Sequence, residues 1–72
     1  MPFVNVKIVK DILPEGKKEE LIAKLTDAVV STYAIEKLRP YVWVVLEEVE
    51  AEDWGVGGET LTVEGVKAML NG

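Results

Sequence analysis

Cysteine and histidine are both missing from this chain. Their absence excludes disulfides, the usual zinc sites and every nucleophile that relies on an imidazole or thiolate partner. Cations are also scarce, eight against thirteen carboxylates, for a formal charge of −5. Phosphate recognition needs clustered Lys and Arg, so no nucleic-acid partner is expected. No apolar run approaches the roughly 20 residues needed to span a bilayer, so no membrane partner is expected either. Nothing ahead of Pro2 has the charged-then-apolar layout of a signal peptide. The expectation is a soluble cytoplasmic protein. Gly55-Val56-Gly57-Gly58 lacks the Lys-Ser/Thr ending of a phosphate loop. Glu47, Glu48, Glu50, Glu52 and Asp53 read as a solvated acidic segment rather than a cation site. Neither a metal nor a cofactor is expected.

What is present is a 72-residue chain that is 49% apolar. That length makes one domain, residues 1–72, which buries only about 60% of its unfolded surface if it folds alone. Small domains usually compensate with disulfides, a metal or self-association. Only self-association is open to this sequence, so the expected object is an oligomer.

Phe3 to Val9 alternates as a strand, with Val4, Val6 and Ile8 on one face and Phe3, Asn5, Lys7 and Val9 on the other. A loop follows from Asp11 to Gly16. From about Glu15 to Tyr33 the period turns helical, with Leu21, Ile22, Leu25, Ala28, Val29 and Tyr33 on the apolar stripe. Glu36 to Pro40 reads as a loop, and Tyr41 to Val49 as a second strand rich in β-branched and aromatic residues. Strand, helix, strand in this order predicts a βαβ unit with parallel strands. Trp54 to Gly58 predicts a glycine-rich turn within a short hairpin. Thr60 to Val63 reads as a short third strand, and Val63 to Leu70 reads equally well as a terminal helix stopped by Asn71-Gly72. The fold class is therefore α+β.

With the common catalytic groups absent, Met1-Pro2 becomes the candidate for chemistry. Methionine aminopeptidase removes Met before small second residues, which would expose a secondary amine at the start of a strand. A free terminal amine has a reference pKa near ~8. Apolar burial and nearby cations both disfavour its charged form, moving such a group towards the range of a general base at neutral pH. Taken alone, Met-Pro is equally a plain strand start.

Pro2 is not alone. The segment Pro2-Phe3-Val4-Asn5-Val6 is followed by a helix carrying Lys17-Lys18-Glu19-Glu20-Leu21-Ile22. A valine-rich strand ending Leu46-Glu47-Glu48-Val49 comes next, and then Asp53-Trp54-Gly55-Val56-Gly57-Gly58-Glu59. Over roughly residues 2 to 63 this order resembles the 4-oxalocrotonate tautomerase family. The resemblance implies a β-α-β subunit with a C-terminal hairpin, assembled as a hexamer or trimer of dimers. It also implies keto-enol or dienol isomerisation of small unsaturated 2-hydroxy or 2-oxo acids. By the same resemblance, Pro2 is the catalytic base and Trp54 matches the aromatic wall of the pocket, to which Phe3 and Trp43 add.

Residues 63–72 form a tail, or short helix, on which the resemblance says little. The family pattern also places two arginines in the pocket, one in the loop after the first strand and one early in the second. Here that loop reads Lys10-Asp11-Ile12-Leu13-Pro14, and an ungapped match puts Trp43 at the second position. Arg39 is the only arginine, and would serve only in a neighbouring subunit's pocket; Lys10 or Lys17 is the other candidate cation. The shortfall leaves three alternatives: a monoacid or less charged enol as substrate, low activity, or a mixed oligomer whose partner supplies the arginines. Hydration, dehalogenation or decarboxylation ranks lower, because no water-activating partner is evident.

Each of these residues also has a structural role open to it. Trp54, Trp43 and Tyr41 suit core or interface packing, Arg39 suits a surface ion pair, and Gly55, Gly57 and Gly58 suit backbone geometry that needs positive φ.

Overall fold

The computed structural model describes residues 1–72. Strand β1 (Phe3–Val9) runs into helix α1 (Lys18–Tyr33), a 3-10 turn (Glu36–Tyr41) and strand β2 (Trp43–Val49). A short 3-10 turn (Ala51–Asp53), a hairpin of β3 (Gly55–Val56) and β4 (Glu59–Thr60), and helix α2 (Val63–Asn71) complete the chain. β1 and β2 pair in parallel, with Phe3 opposite Trp43 at one end and Val9 opposite Val49 at the other. The α+β βαβ subunit expected from the pattern is what folds.

Several boundaries shift for local reasons. α1 starts at Lys18 rather than near Glu15, because Gly16 sits at φ +78° and the Lys17 amide turns back to the Pro14 carbonyl at 3.2 Å. Glu19 and Glu20 in the first turn complement the helix dipole. The helix ends where Ala34 adopts a left-handed conformation (φ 59°) and donates to the Val30 carbonyl. β2 begins at Trp43 and not Tyr41, since Tyr41 closes the 3-10 turn in the segment expected to be loop. The third strand forms earlier than Thr60 to Val63. It pairs Gly55–Val56 with Glu59–Thr60 across Gly57 (φ 61°) and Gly58 (φ 89°). A two-residue hairpin loop with both positions at positive φ is the case that favours glycine twice over. The terminal residues take the helical option, and the Thr62 hydroxyl accepts the Gly65 amide as an N-cap.

α1 lies over β2, on the sheet face that carries Val4, Val6, Val44 and Leu46. Its inward residues are Leu21, Leu25, Val29 and Val30. Val30 was not on the expected stripe, yet it is the most buried side chain of the helix, while Ile22, Ala28 and Tyr33 are turned outward. Leu21, Leu25 and Val29 keep their expected place, and the stripe extends toward Thr26 and Val30 rather than Ala28 and Tyr33.

The interior is very thin. Only Val30 and Ala51 are fully buried, while Phe3, Tyr33, Ile35, Tyr41, Trp43, Val56, Met69 and Leu70 are each more than half exposed. The accessible surface is 5546 Å², whereas a compact protein of 8.0 kDa exposes about 4,450 Å². The radius of gyration, 15.1 Å, likewise exceeds the roughly 11 Å expected of a compact chain this long. The surplus is on the order of 1,100 Å² of accessible area, and large apolar side chains are among the exposed residues.

Candidate active site

β1 and β2 start side by side, and that start positions Pro2. The Trp43 amide donates to the Pro2 carbonyl at 3.1 Å, so the ladder begins on residue 2 while Met1 lies beyond it, 82% exposed. The Pro2 ring is half-buried on the helix side of the sheet. Phe3 and Trp43, opposite each other in the register, project from the open face, with Val45 next along β2. Pro2, Phe3 and Trp43 thus share one end of the sheet, the proline ring on the helix side and the two aromatics on the open face.

Further along the open face the character changes. Asn5 Nδ2 and Lys7 Nζ both donate to Glu47 Oε1, at 2.6 and 3.1 Å. The Asn5 hydrogen bond, followed by that of Lys7 and its charge, holds the Glu47 carboxyl below its ordinary pKa. At the far end Lys10 pairs with Glu50 and Lys18 with Glu48. The hydrogen bond and charge of Glu50 raise the Lys10 pKa, so Lys10 is held charged and occupied. A surface cavity of about 710 Å³ lies at this end between the Asp11–Gly16 loop and Glu48. It is rich in carboxylates and remote from Pro2.

Trp54 is also at the far end. Its indole Nε1 donates to the Val49 carbonyl at 3.2 Å, and its own carbonyl accepts the Leu61 amide. Since β2 spans about 20 Å from Trp43 to Val49, Trp54 and Pro2 of one subunit do not meet. Trp54 can wall only a pocket built around another copy's Pro2.

Arg39 lies in the turn leading to β2, but its guanidinium faces α1. Nε donates to Glu36 at 2.7 Å and Nη1 to Asp27 at 2.8 Å, and these two bonds, Glu36 first, raise its pKa. Two of the three Arg39 guanidinium nitrogens are therefore bonded to carboxylates, while Nη2 makes no side-chain bond. Lys17 is paired with Glu20. Of the eight cations only Lys37 and Lys67 have no ion pair. Lys37 shares the turn that delivers β2 to Pro2, and the sequence reading overlooked it. Its signal was the lack of an acid at helical spacing, visible only once Glu36 and Asp27 are seen to hold Arg39.

Fold and site define a small β-α-β subunit with a proline at the head of a parallel sheet and exposed aromatic side chains at the same end. A sequence profile for tautomerase enzymes matches residues 2–64. A probable tautomerase of Campylobacter jejuni is 47% identical over 71 residues, spanning 99% of this chain and 98% of the relative. The probable tautomerase K2 of Dickeya dadantii is 42% identical over 62 residues, 86% of this chain and 90% of the relative. Among solved structures, DmpI of Helicobacter pylori superposes with a TM-score of 0.67 at 31% identity, covering 82% of this chain and 94% of that one. A 4-oxalocrotonate tautomerase candidate from methicillin-resistant Staphylococcus aureus gives 0.69 at 32% identity, over 82% and 90%. The chain belongs to the tautomerase family, a family of isomerases.

Proposed function

We propose that this chain is a keto-enol or dienol tautomerase of small unsaturated 2-hydroxy or 2-oxo acids, with Pro2 as its general base after Met1 is removed. The observation that carries this reading is the anchoring of Pro2. Its carbonyl is fixed by the Trp43 amide at the apolar head of the sheet, while its nitrogen takes no part in the ladder. Once freed, that nitrogen is a secondary amine held rigid by its ring. It takes the proton from the substrate's 2-hydroxyl, the oxygen becomes a carbonyl and the double bond shifts. The resulting ammonium returns a proton to a more distant carbon, so the base is regenerated and no atom is gained or lost. The rate falls on the acid side as the amine becomes protonated.

A substrate carboxylate needs a cation. Arg39 is bonded to two carboxylates, so we assign this role to Lys37, which has no acid partner and lies in the same 3-10 turn before β2. A single ammonium, without the two-pronged fork of arginine, suits a monoacid better than a diacid. Phe3 and Trp43 line the pocket, and Trp54 enters it from another copy. The working unit is therefore a homo-oligomer, for which a hexamer built as three dimers is the arrangement we favour.

The test is an assay with an aryl enolpyruvate or a 2-hydroxydienoate, alongside the intact mass of the protein. Loss of Met1 and a drop of roughly 10²- to 10⁴-fold for Pro2→Ala are expected, the usual worth of a positioned acid-base group. Equal rates for the two proteins would overturn the assignment. A second reading, a low-activity or non-catalytic subunit of a mixed oligomer, is favoured by the capture of Arg39. It requires that an arginine-bearing homologue copurify with the native protein.

A further inference from the structure

The chain has no glutamine and two asparagines, Asn5 and Asn71, so only these two side chains carry a carboxamide that water can replace. Their settings differ. Asn5 lies inside β1, its carboxamide bonded to Glu47 at 2.6 Å, and β-branched Val6 follows it. Asn71 is the last residue of α2, is exposed, and is followed by Gly72. Glycine has no Cβ, which leaves its backbone nitrogen open to approach by the side-chain carbonyl of the residue before it. Only the helix holds that nitrogen back: the Gly72 amide donates to the Ala68 carbonyl at 2.9 Å. The restraint is weak. At nine residues α2 is shorter than the ~12–15 needed for even marginal helicity in water. It packs lightly on the rest of the subunit, with Met69 and Leu70 about 70% exposed. No Lys or Arg in its last turn offsets the negative end of the helix.

We propose that Asn71-Gly72 is a self-modification site, at which opening of α2 lets the chain convert Asn71 to aspartate or isoaspartate. The Gly72 nitrogen gives its proton to solvent base and bonds to Cγ of Asn71, and the side-chain nitrogen leaves as ammonia. The product is a cyclic imide. Water opens it at the side-chain carbonyl to give aspartate, or at the backbone carbonyl to give isoaspartate. Water is consumed and ammonia released in equal amounts, with nothing oxidised or reduced. Either product puts a carboxylate at the end of α2 that is already negative. The isoaspartate link also adds a methylene to the main chain, which breaks the repeat that helical hydrogen bonds require. The modified helix recloses less readily, so a transient opening becomes a permanent one. This proposal does not depend on Pro2 being a base.

The test is to age the purified protein in mildly alkaline buffer made with heavy-oxygen water and map its peptides by mass spectrometry. Label is expected to enter at Asn71 and not at Asn5. Entry should be roughly tenfold faster when the chain is unfolded in guanidinium chloride, because the native helix must open first. Thr62→Ala removes the cap at the other end of α2 without touching Asn71, and should speed native conversion about fivefold. No label at Asn71, or label at Asn5 at a comparable rate, overturns the site. Equal rates in native and unfolded protein, or an unchanged rate in Thr62→Ala, overturn the control by α2.

Discussion

The two ends of the parallel sheet have opposite character, although they are built from the same two strands. At the far end Lys10 is bonded to Glu50, Lys18 to Glu48 and the Trp54 indole to the Val49 carbonyl. Every one of those polar partners comes from the same chain. At the near end Phe3 and Trp43 stand more than half exposed beside Pro2. Polar groups can be satisfied pairwise within a small subunit, but apolar area needs bulk, which 72 residues cannot supply. The near end is thus left open in the subunit, and it is also where the chemistry is proposed to occur.

The largest effect should come from breaking the near end. Trp43→Ser removes an indole that the proposed assembly would bury, and a loss of about 3–5 kcal/mol per subunit is expected. Sedimentation velocity should show dissociation, with catalysis lost in parallel. Next, Lys37→Ala should lower kcat/KM roughly ten- to hundredfold, the worth of one charge-assisted hydrogen bond. Arg39→Ala, which frees Asp27 and Glu36 instead, should leave kcat/KM within about threefold on that scale. The reverse order would transfer the carboxylate contact to Arg39.

Gly57→Ala forces a side chain into the left-handed turn at φ 61°. The expected cost is about 1–2 kcal/mol in the midpoint of urea unfolding, with Trp54 fluorescence changing because the hairpin holds it. The smallest effect is electrostatic. Glu47 has a lower pKa folded than unfolded, so its contribution to stability is fully present above its ordinary value of 4.5 and is lost as the pH falls through the folded value. Asn5→Ala should flatten that acid-side slope, as read by thermal unfolding between neutral pH and about pH 3.

The contrast between the ends also explains what was legible in the sequence. β1 is found where alternation placed it, Phe3 to Val9, because period two is written within the strand itself. The hairpin turn was legible because two glycines in a row leave few backbone alternatives. α1 was readable except for its start, where Gly16 outweighs the good helix formers around it. The stripe missed Val30 because tertiary contact, not period, decides how far it extends beyond Val29. The site was less accessible. Pro2 stood out through its order relative to Trp54, yet the structure sets the two at opposite ends of one subunit. Asp27 is twelve residues from Arg39, and no periodicity links them. A contact completed by another copy leaves no mark in the spacing of a single chain.

The ladder starts at the carbonyl of residue 2, so no strand bond depends on the residue before it. Ripening of the protein is therefore uncoupled from its folding. Under the proposed mechanism the same folded subunit would be an inert amide before cleavage of the exposed Met1–Pro2 bond and a reactive amine after it. On that proposal, folding would fix the abundance of the subunit and removal of Met1 its active fraction.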